Sequence, residues 1–234
     1  MKAKSCQYGP MQTDASDPLV FAATLLGAAR DGAARKTDRT RARLLAALAR
    51  ELGSGLTWHD LKVAEVTRSA GLAHGTFYRY FPDMPAAVAA LIEEFSAFVE
   101  THLETARADP EAGARERVKA ATLVFARLFR RNAGLMRCLT GLSAEETAFA
   151  RAYRRLNRDW YGRVAGAIAR GREDGSTAHE HMPAAYALGG MIDEFLAQIY
   201  LRKEPALAHL ADHEERIADI LTDLWCSGAY GVQN

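Results

Sequence analysis

An all-α fold is predicted for this chain, on three features of its sequence. Ala, Leu and Arg dominate the composition and β-branched residues are sparse, a mix that favours helix over strand. Apolar residues recur at spacings of three and four through most of the chain, the period of one helix face. Polar breaks such as "ADPEAG" and "DGSTAHEHMP" interrupt that period where helices must end.

The 234 residues suffice for one large domain or two small ones. The formal net charge is +1, so an overall basic balance offers no argument for nucleic acid and any such case must be local. Cys6, Cys138 and Cys226 are scattered with no metal-like spacing, which reads as reduced thiols in the cytosol. The run "PLVFAATLLGAAR", Pro18 to Arg30, has the length of a signal-peptide core. Asp14 and Asp17 stand where a positive flank belongs, and the run is too short to span a bilayer. It is expected to be a helical arm packed on the body or on a partner chain. No membrane partner and a cytoplasmic location follow.

Residues 1–17 carry Gly, Pro, Ser and Asp and are expected to be disordered. Residues 30–50 are locally basic, with Arg30, Arg35, Lys36, Arg39, Arg41, Arg43 and Arg50 against Asp31 and Asp38. A first helix is predicted over "TRARLLAALARELG", with Leu44, Leu45, Leu48 and Leu52 on one face, Thr40 as cap and Gly53 as stop. A second covers "DLKVAEVTRSAG", with Leu61, Val63, Val66 and Ala70, capped by Asp60 and ended by Gly71. Gly71 suits a backbone position of positive φ. The stretch "GLAHGTFYRYFPD" then gives a short third helix, stopped before Pro82.

Two helices, a Gly-containing turn and a short helix form the pattern of a helix-turn-helix. Phe77 and Phe81, four apart, are expected to hold the short helix onto the other two, with Leu72 joining them. His74 and Tyr78 share a different face, and Thr76 and Tyr80 complete a polar, phenolic surface. Such hydroxyls can donate to phosphate oxygens, and the first residues of such a helix meet base edges. Taken alone, the pattern fits a small three-helix cap with half-buried tyrosines equally well.

The segment "LKVAEVTRSAGLAHGTFYRYFPD" resembles the DNA-binding segment of TetR-type (TetR/AcrR-family) bacterial transcriptional regulators. The resemblance rests on Val66, Ala70, Gly71, Leu72, Gly75, Thr76, Phe77, Tyr78, Tyr80 and Phe81 and covers residues 40–90. It implies that Thr76, Tyr78 and Tyr80 contact the phosphate backbone, while Ala73, His74 and Gly75 open the recognition helix and face bases. Ala73 and His74 replace the Ser and Lys usual in the family, Met84 replaces a Lys, and Lys62 stands where a Thr cap is usual. Two usual phosphate-binding amines are therefore absent. The basic stretch Arg35 to Arg43 is expected to compensate, with Arg39 and Arg41 as DNA contacts alongside Lys62. The resulting division is an N-terminal arm over 1–37, a DNA-binding domain over 38–84 and a larger helical ligand-binding and dimerisation domain over 85–234.

Beyond Pro85, helical stripes follow one another. Val88, Leu91, Ile92, Phe95, Val99 and Leu103 mark a long helix, and Val118, Leu123, Phe125, Leu128 and Phe129 mark the next. "AGLMRCLTGLS" is short and apolar, and a long helix carrying Phe149, Tyr153, Trp160, Tyr161 and Val164 follows it. Two final apolar helices carry Leu188, Met191, Ile192, Phe195 and Ile199, then Ile217, Ile220, Leu221 and Leu224. Gly189 and Gly190 allow close approach to the first of these. The two helices either close the protomer core or pair with their copies in a two-fold four-helix bundle. The family resemblance favours the homodimer, with Leu188, Ile192, Phe195, Ile199, Ile217, Ile220, Leu221 and Leu224 at its interface. It also implies a small, apolar effector housed by the middle helices among Phe125, Phe129, Met136, Phe149, Tyr153, Trp160, Tyr161 and Met191, with Cys138 and Phe195 also available.

Enzymatic chemistry finds thin support. No Gly-rich phosphate loop and no G-x-S-x-G is present. His209 and His213, four apart beside Asp212 and Glu214, have a spacing that could hold a metal, but solvated surface is the commoner outcome. "HEH", His179 to His181, is not a zinc-protease motif. No catalytic residue, metal or cofactor is expected. The expected partners are a near-palindromic double-stranded operator, a small effector and a second copy of the chain. The alternative is a dimeric helical ligand-binding or interaction protein with weakened DNA binding.

Overall fold

The computed structural model describes residues 17–142, 148–172 and 174–231, with side chains described except at 140–153, 155 and 156. All regular structure among the described residues is helical, as the sequence predicts. The expectation for residues 1–17 falls, Asp17 aside, outside the described residues.

The apolar run near the N-terminus is helix α1, Phe21–Arg30, and it packs along α2, Lys36–Gly53. The Phe21 ring sits 5.3 Å from Phe95 and 5.1 Å from Phe98 of the long helix α4, Met84–Ala106. Asn132 secures the start of α1. Its Oδ1 accepts from the Phe21 N–H at 2.9 Å, and its Nδ2 donates to the carbonyls of Leu19 at 2.7 Å and Leu128 at 2.9 Å. One buried amide thus satisfies a donor that the helix start leaves open.

Helix α2 begins four residues earlier than its predicted cap. Thr40 lies within it and donates to the Lys36 carbonyl at 2.9 Å. Leu44, Leu45, Leu48 and Leu52 are fully buried, as their spacing predicts. Asp60 also has a different role from the one predicted. It closes a 3-10 turn, Trp58–Asp60, by accepting from the Thr57 N–H at 3.2 Å and hydroxyl at 2.6 Å. These bonds hold its carboxyl below the usual range. The second helix, α3, covers Val63–Ser69 and starts after Lys62.

Gly71 follows at φ +64°, and Arg43 of α2 donates to the carbonyls of Ala70 at 2.7 Å and Gly71 at 3.3 Å. The third helix of the head is a 3-10 helix, His74–Arg79. Phe77 and Phe81 are buried with ring centroids 5.6 Å apart. Asp83 then caps α4, its carboxylate accepting from the Ala86 N–H at 2.8 Å.

The larger part consists of α4, α5 (Ala114–Arg131), α6 (Ala133–Leu142), α7 (Ala148–Gly171), α8 (Met182–Ala197) and α9 (Glu214–Tyr230). A π-helical turn, Gln198–Arg202, extends α8, and a 3-10 turn, Pro205–Leu210, leads into α9. Helices α5 and α9 run antiparallel, because their ion pairs rise in number on one helix as they fall on the other. These are Arg115–Asp223, Lys119–Asp219, Arg127–Glu215 and Arg130–Glu214. Mostly exposed pairs of this kind contribute about 0–1 kcal/mol each, so they set register more than stability.

Candidate DNA-binding head and effector cavity

The head exposes only part of the polar surface expected of it. Ala73, His74, Gly75 and Tyr78 are exposed, Tyr78 at 54%. The His74 and Tyr78 rings lie 5.7 Å apart on the 3-10 helix, and the Tyr78 ring meets that of the buried Phe77 edge-on at 5.5 Å. Thr76 is half-buried, and Tyr80 leans on the core. Arg79, absent from the predicted set, is exposed on the same short helix. Lys62 is exposed at the start of α3.

The basic stretch is taken up into α2 from Lys36 onward. Several of its arginines face inward. Arg41 pairs with Glu94 of α4 and lies over the Phe81 ring at 5.7 Å, while Arg39 donates to the Ala34 carbonyl. Arg35 pairs with Asp38 at 2.9 Å. Met84, where the family commonly has Lys, packs against the core.

A cavity of about 300 Å³ opens between α4, α5, α6, α7, α8 and α9. Of the predicted lining, Phe125, Met136, Trp160 and Tyr161 border it. Phe129 is fully buried behind it, its ring 6.1 Å from Phe125 and 6.2 Å from Tyr200. Met191 packs against the core without bordering the cavity. Phe149 and Tyr153 lie outside the residues whose side chains are described. Ile192, predicted for the dimer interface, borders the cavity.

The polar groups of the cavity were not anticipated. Arg107 and Arg163 lie over the Trp160 ring at 5.3 and 5.5 Å, and Arg163 pairs with Glu100. Asp193 stands in the wall, accepting from the Tyr161 hydroxyl at 3.5 Å. Desolvation pushes its carboxyl up to about 6, and the tyrosine bond offsets this only in part. One turn earlier on α8, Gly189 makes the arrangement possible, since any Cβ there would overlap the Tyr161 ring. The sequence signal for Asp193 is the first of two adjacent acids, Asp193 and Glu194, inside the apolar stripe "GGMIDEFL".

Two helices join the head to the cavity. Helix α4 runs from the recognition segment to the cavity wall at Phe95, Val99 and Leu103. Helix α6 contributes Met136 and Leu139 to the wall, and at its start Gly134 abuts the end of α2 so closely that a Cβ would strike the Leu52 carbonyl and Gly53.

The two C-terminal helices divide the remaining predicted interface residues. Leu188, Ile199, Ile217 and Leu221 are buried within the protomer, and Phe195 and Ile220 are partly so. Leu224 is 51% exposed, and Tyr186 of α8, absent from the predicted set, is 44% exposed. Gly190 faces open space. His209 and His213 are exposed, and no group of three or more His, Cys, Asp or Glu gathers among the described residues. No helix among them is long and apolar enough to cross a membrane.

No protein-family model matches the chain. Among curated proteins, the HTH-type transcriptional regulator EthR of Mycobacterium tuberculosis is 25% identical over 176 residues, 74% of this chain and 79% of EthR. EthR of Mycolicibacterium smegmatis is 24% identical over 209 residues, 85% of this chain and 90% of that protein. Among solved structures, the transcriptional regulator FadR from Bacillus subtilis in complex with stearoyl-CoA gives a TM-score of 0.62 at 16% identity, covering 82% of this chain and 98% of FadR. A TetR-family regulator from Syntrophomonas wolfei gives 0.65 at 16% identity, covering 85% of this chain and 98% of that one. The relatives are transcriptional regulators, and the fold of this chain is theirs.

Proposed function

We propose that this chain, TetR-type in fold and related in sequence to EthR, is a ligand-responsive, sequence-specific DNA-binding regulator that acts as a cytoplasmic repressor. Residues 38–84 form its DNA-binding domain and residues 85–234 its ligand-binding and dimerisation domain. The observation that carries this reading is an exposed His74–Tyr78 face connected through α4 and α6 to a largely apolar cavity.

In this reading Thr76, Tyr78 and Tyr80 donate to phosphates, and Ala73, His74 and Gly75 approach base edges. Lys62, Arg39 and the exposed Arg79 add phosphate contacts. Arg41 reaches DNA only by leaving Glu94. Two heads related by a two-fold axis read successive major grooves of a near-palindromic site. The dimer forms on the open face of α8 and α9 around Tyr186, Gly190 and Leu224. A small effector releases DNA by binding the cavity more tightly in the conformation whose heads do not match the operator.

The alternative, a dimeric ligand-binding protein with weakened DNA binding, draws on the packing of the half-buried Met84 against the core and the inward pairing of Arg41. Retention of fragmented DNA from the source organism, followed by sequencing, separates the two. Recovery of a near-palindromic site supports the regulator. Recovery of no preferred sequence supports the alternative.

A further inference from the structure

We propose that the effector is a small lipophilic cation, a protonated amine whose apolar body fills the cavity and whose ammonium group meets the Asp193 carboxylate. The inference rests on the cavity being the effector site and goes further by naming the chemistry it selects.

Charge within the cavity is unbalanced. Among the described residues, its lining carries three carboxylates, Glu100, Asp159 and Asp193, against two guanidiniums, Arg107 and Arg163. Neither guanidinium is available to Asp193. Arg163 is paired with Glu100, Arg107 donates to the Leu103 carbonyl at 3.1 Å, and both lie over Trp160. Burial raises the pKa of Asp193, and the Tyr161 hydroxyl lowers it in part. Among the described residues, helices α5, α6 and α9 bring no titratable side chain to the lining. A carboxylate withdrawn from water is costly unless a cation or several donors accompany it. Among the described residues, the protein supplies one hydroxyl, at 3.5 Å. Plain core would be served better by an apolar residue at this position. Gly189 keeps Tyr161 beside the carboxylate, so the position is shaped as well as charged.

The remaining wall suits the rest of such a molecule. Phe95, Val99, Leu103, Phe125 and Ile192 offer apolar surface, and Trp225 adds an aromatic face that favours cations. The cavity lies at the small end of ligand sites, which limits the body to a short chain or a ring or two.

Full-length protein is titrated with n-decylamine, 1-decanol, decanoate and octanoyl-CoA, followed by tryptophan fluorescence, since Trp160 and Trp225 border the cavity. Near neutral pH, decylamine is expected to bind at least about tenfold more tightly than decanol, the scale of a desolvated charge-assisted bond. Decanoate and octanoyl-CoA bind more weakly still. Asp193→Asn brings decylamine to the affinity of decanol and leaves decanol unchanged, which also shows that the cavity is intact. Should that variant fail to fold, the wild-type protein still decides the matter by pH. The amine stays protonated, so lowering the pH from about 7.5 to about 5 removes the carboxylate and weakens decylamine about tenfold without affecting decanol.

Equal binding of amine and alcohol, tighter binding of decanoate or octanoyl-CoA, or no binding of any of the four would overturn the proposal. Release of DNA is read separately. An amine that binds through Asp193 but leaves DNA bound supports the ligand class and contradicts the regulatory reading. Release by decanoate or octanoyl-CoA alone does the reverse.

Discussion

Phe77 shows how much of the head rests on single side chains. It is fully buried between the short recognition segment and the helices beneath it. Phe77→Ala is expected to destabilise the protein by about 3–5 kcal/mol, measured by denaturant unfolding, and to abolish DNA binding with it. Tyr78→Phe leaves stability unchanged, because the ring is already exposed. Asn132 is a quieter case. Asn132→Ala leaves the Phe21 N–H and the Leu19 carbonyl without their partner, and a loss of about 1–3 kcal/mol in thermal unfolding is expected. Phe77, Phe81 and Gly71 were legible in the sequence because their roles follow from local spacing and backbone preference. Asn132 and Asp193 were not. Asn132 meets its α1 partner 111 positions away, and the acidity of Asp193 reflects a wall drawn from six helices.

At the scale of elements, the apolar stripes located the long helices among the described residues, but the ends moved. Thr40 and Asp60 are good cap residues by type, yet the chain uses one inside α2 and the other to close a 3-10 turn. The reason is local competition. Thr40 can bond back to a carbonyl one turn earlier, and Thr57 offers Asp60 a nearer partner than the α3 backbone. The junction of α2 and α6 was invisible in sequence, because a glycine in a helical pattern does not announce which backbone it faces. Gly134→Ala forces the two helices apart and is expected to cost about 1–3 kcal/mol, seen as a lower unfolding midpoint. If α6 carries the effector signal, the same variant weakens DNA release by effector more than it weakens effector binding.

For the whole molecule, the proposed dimer gives the two C-terminal helices two purposes that the sequence merges. Their apolar residues outnumber what one face requires, and pattern alone does not say which face is spent on the protomer. Ile217 and Leu221 belong to the protomer core, while Tyr186 and Leu224 stay open. Leu224→Glu combined with Tyr186→Glu is expected to shift the protein from dimer to monomer in sedimentation, with unfolding of the monomer unit little changed. A monomer also loses the second half-site, so operator affinity falls with it.

In the proposed regulator the His74–Tyr78 face of each of two heads binds DNA. The most direct test of this binding is the affinity of the wild-type protein for a recovered site, measured by fluorescence anisotropy across a range of salt. Two heads that each bring Lys62, Arg39 and Arg79 to phosphates neutralise about six, which predicts a loss of roughly a thousandfold between about 50 and 200 mM salt, and a clear preference for that site over scrambled DNA. Weak binding that shows no preference for the site, or that hardly changes with salt, would mean that this face does not read an operator.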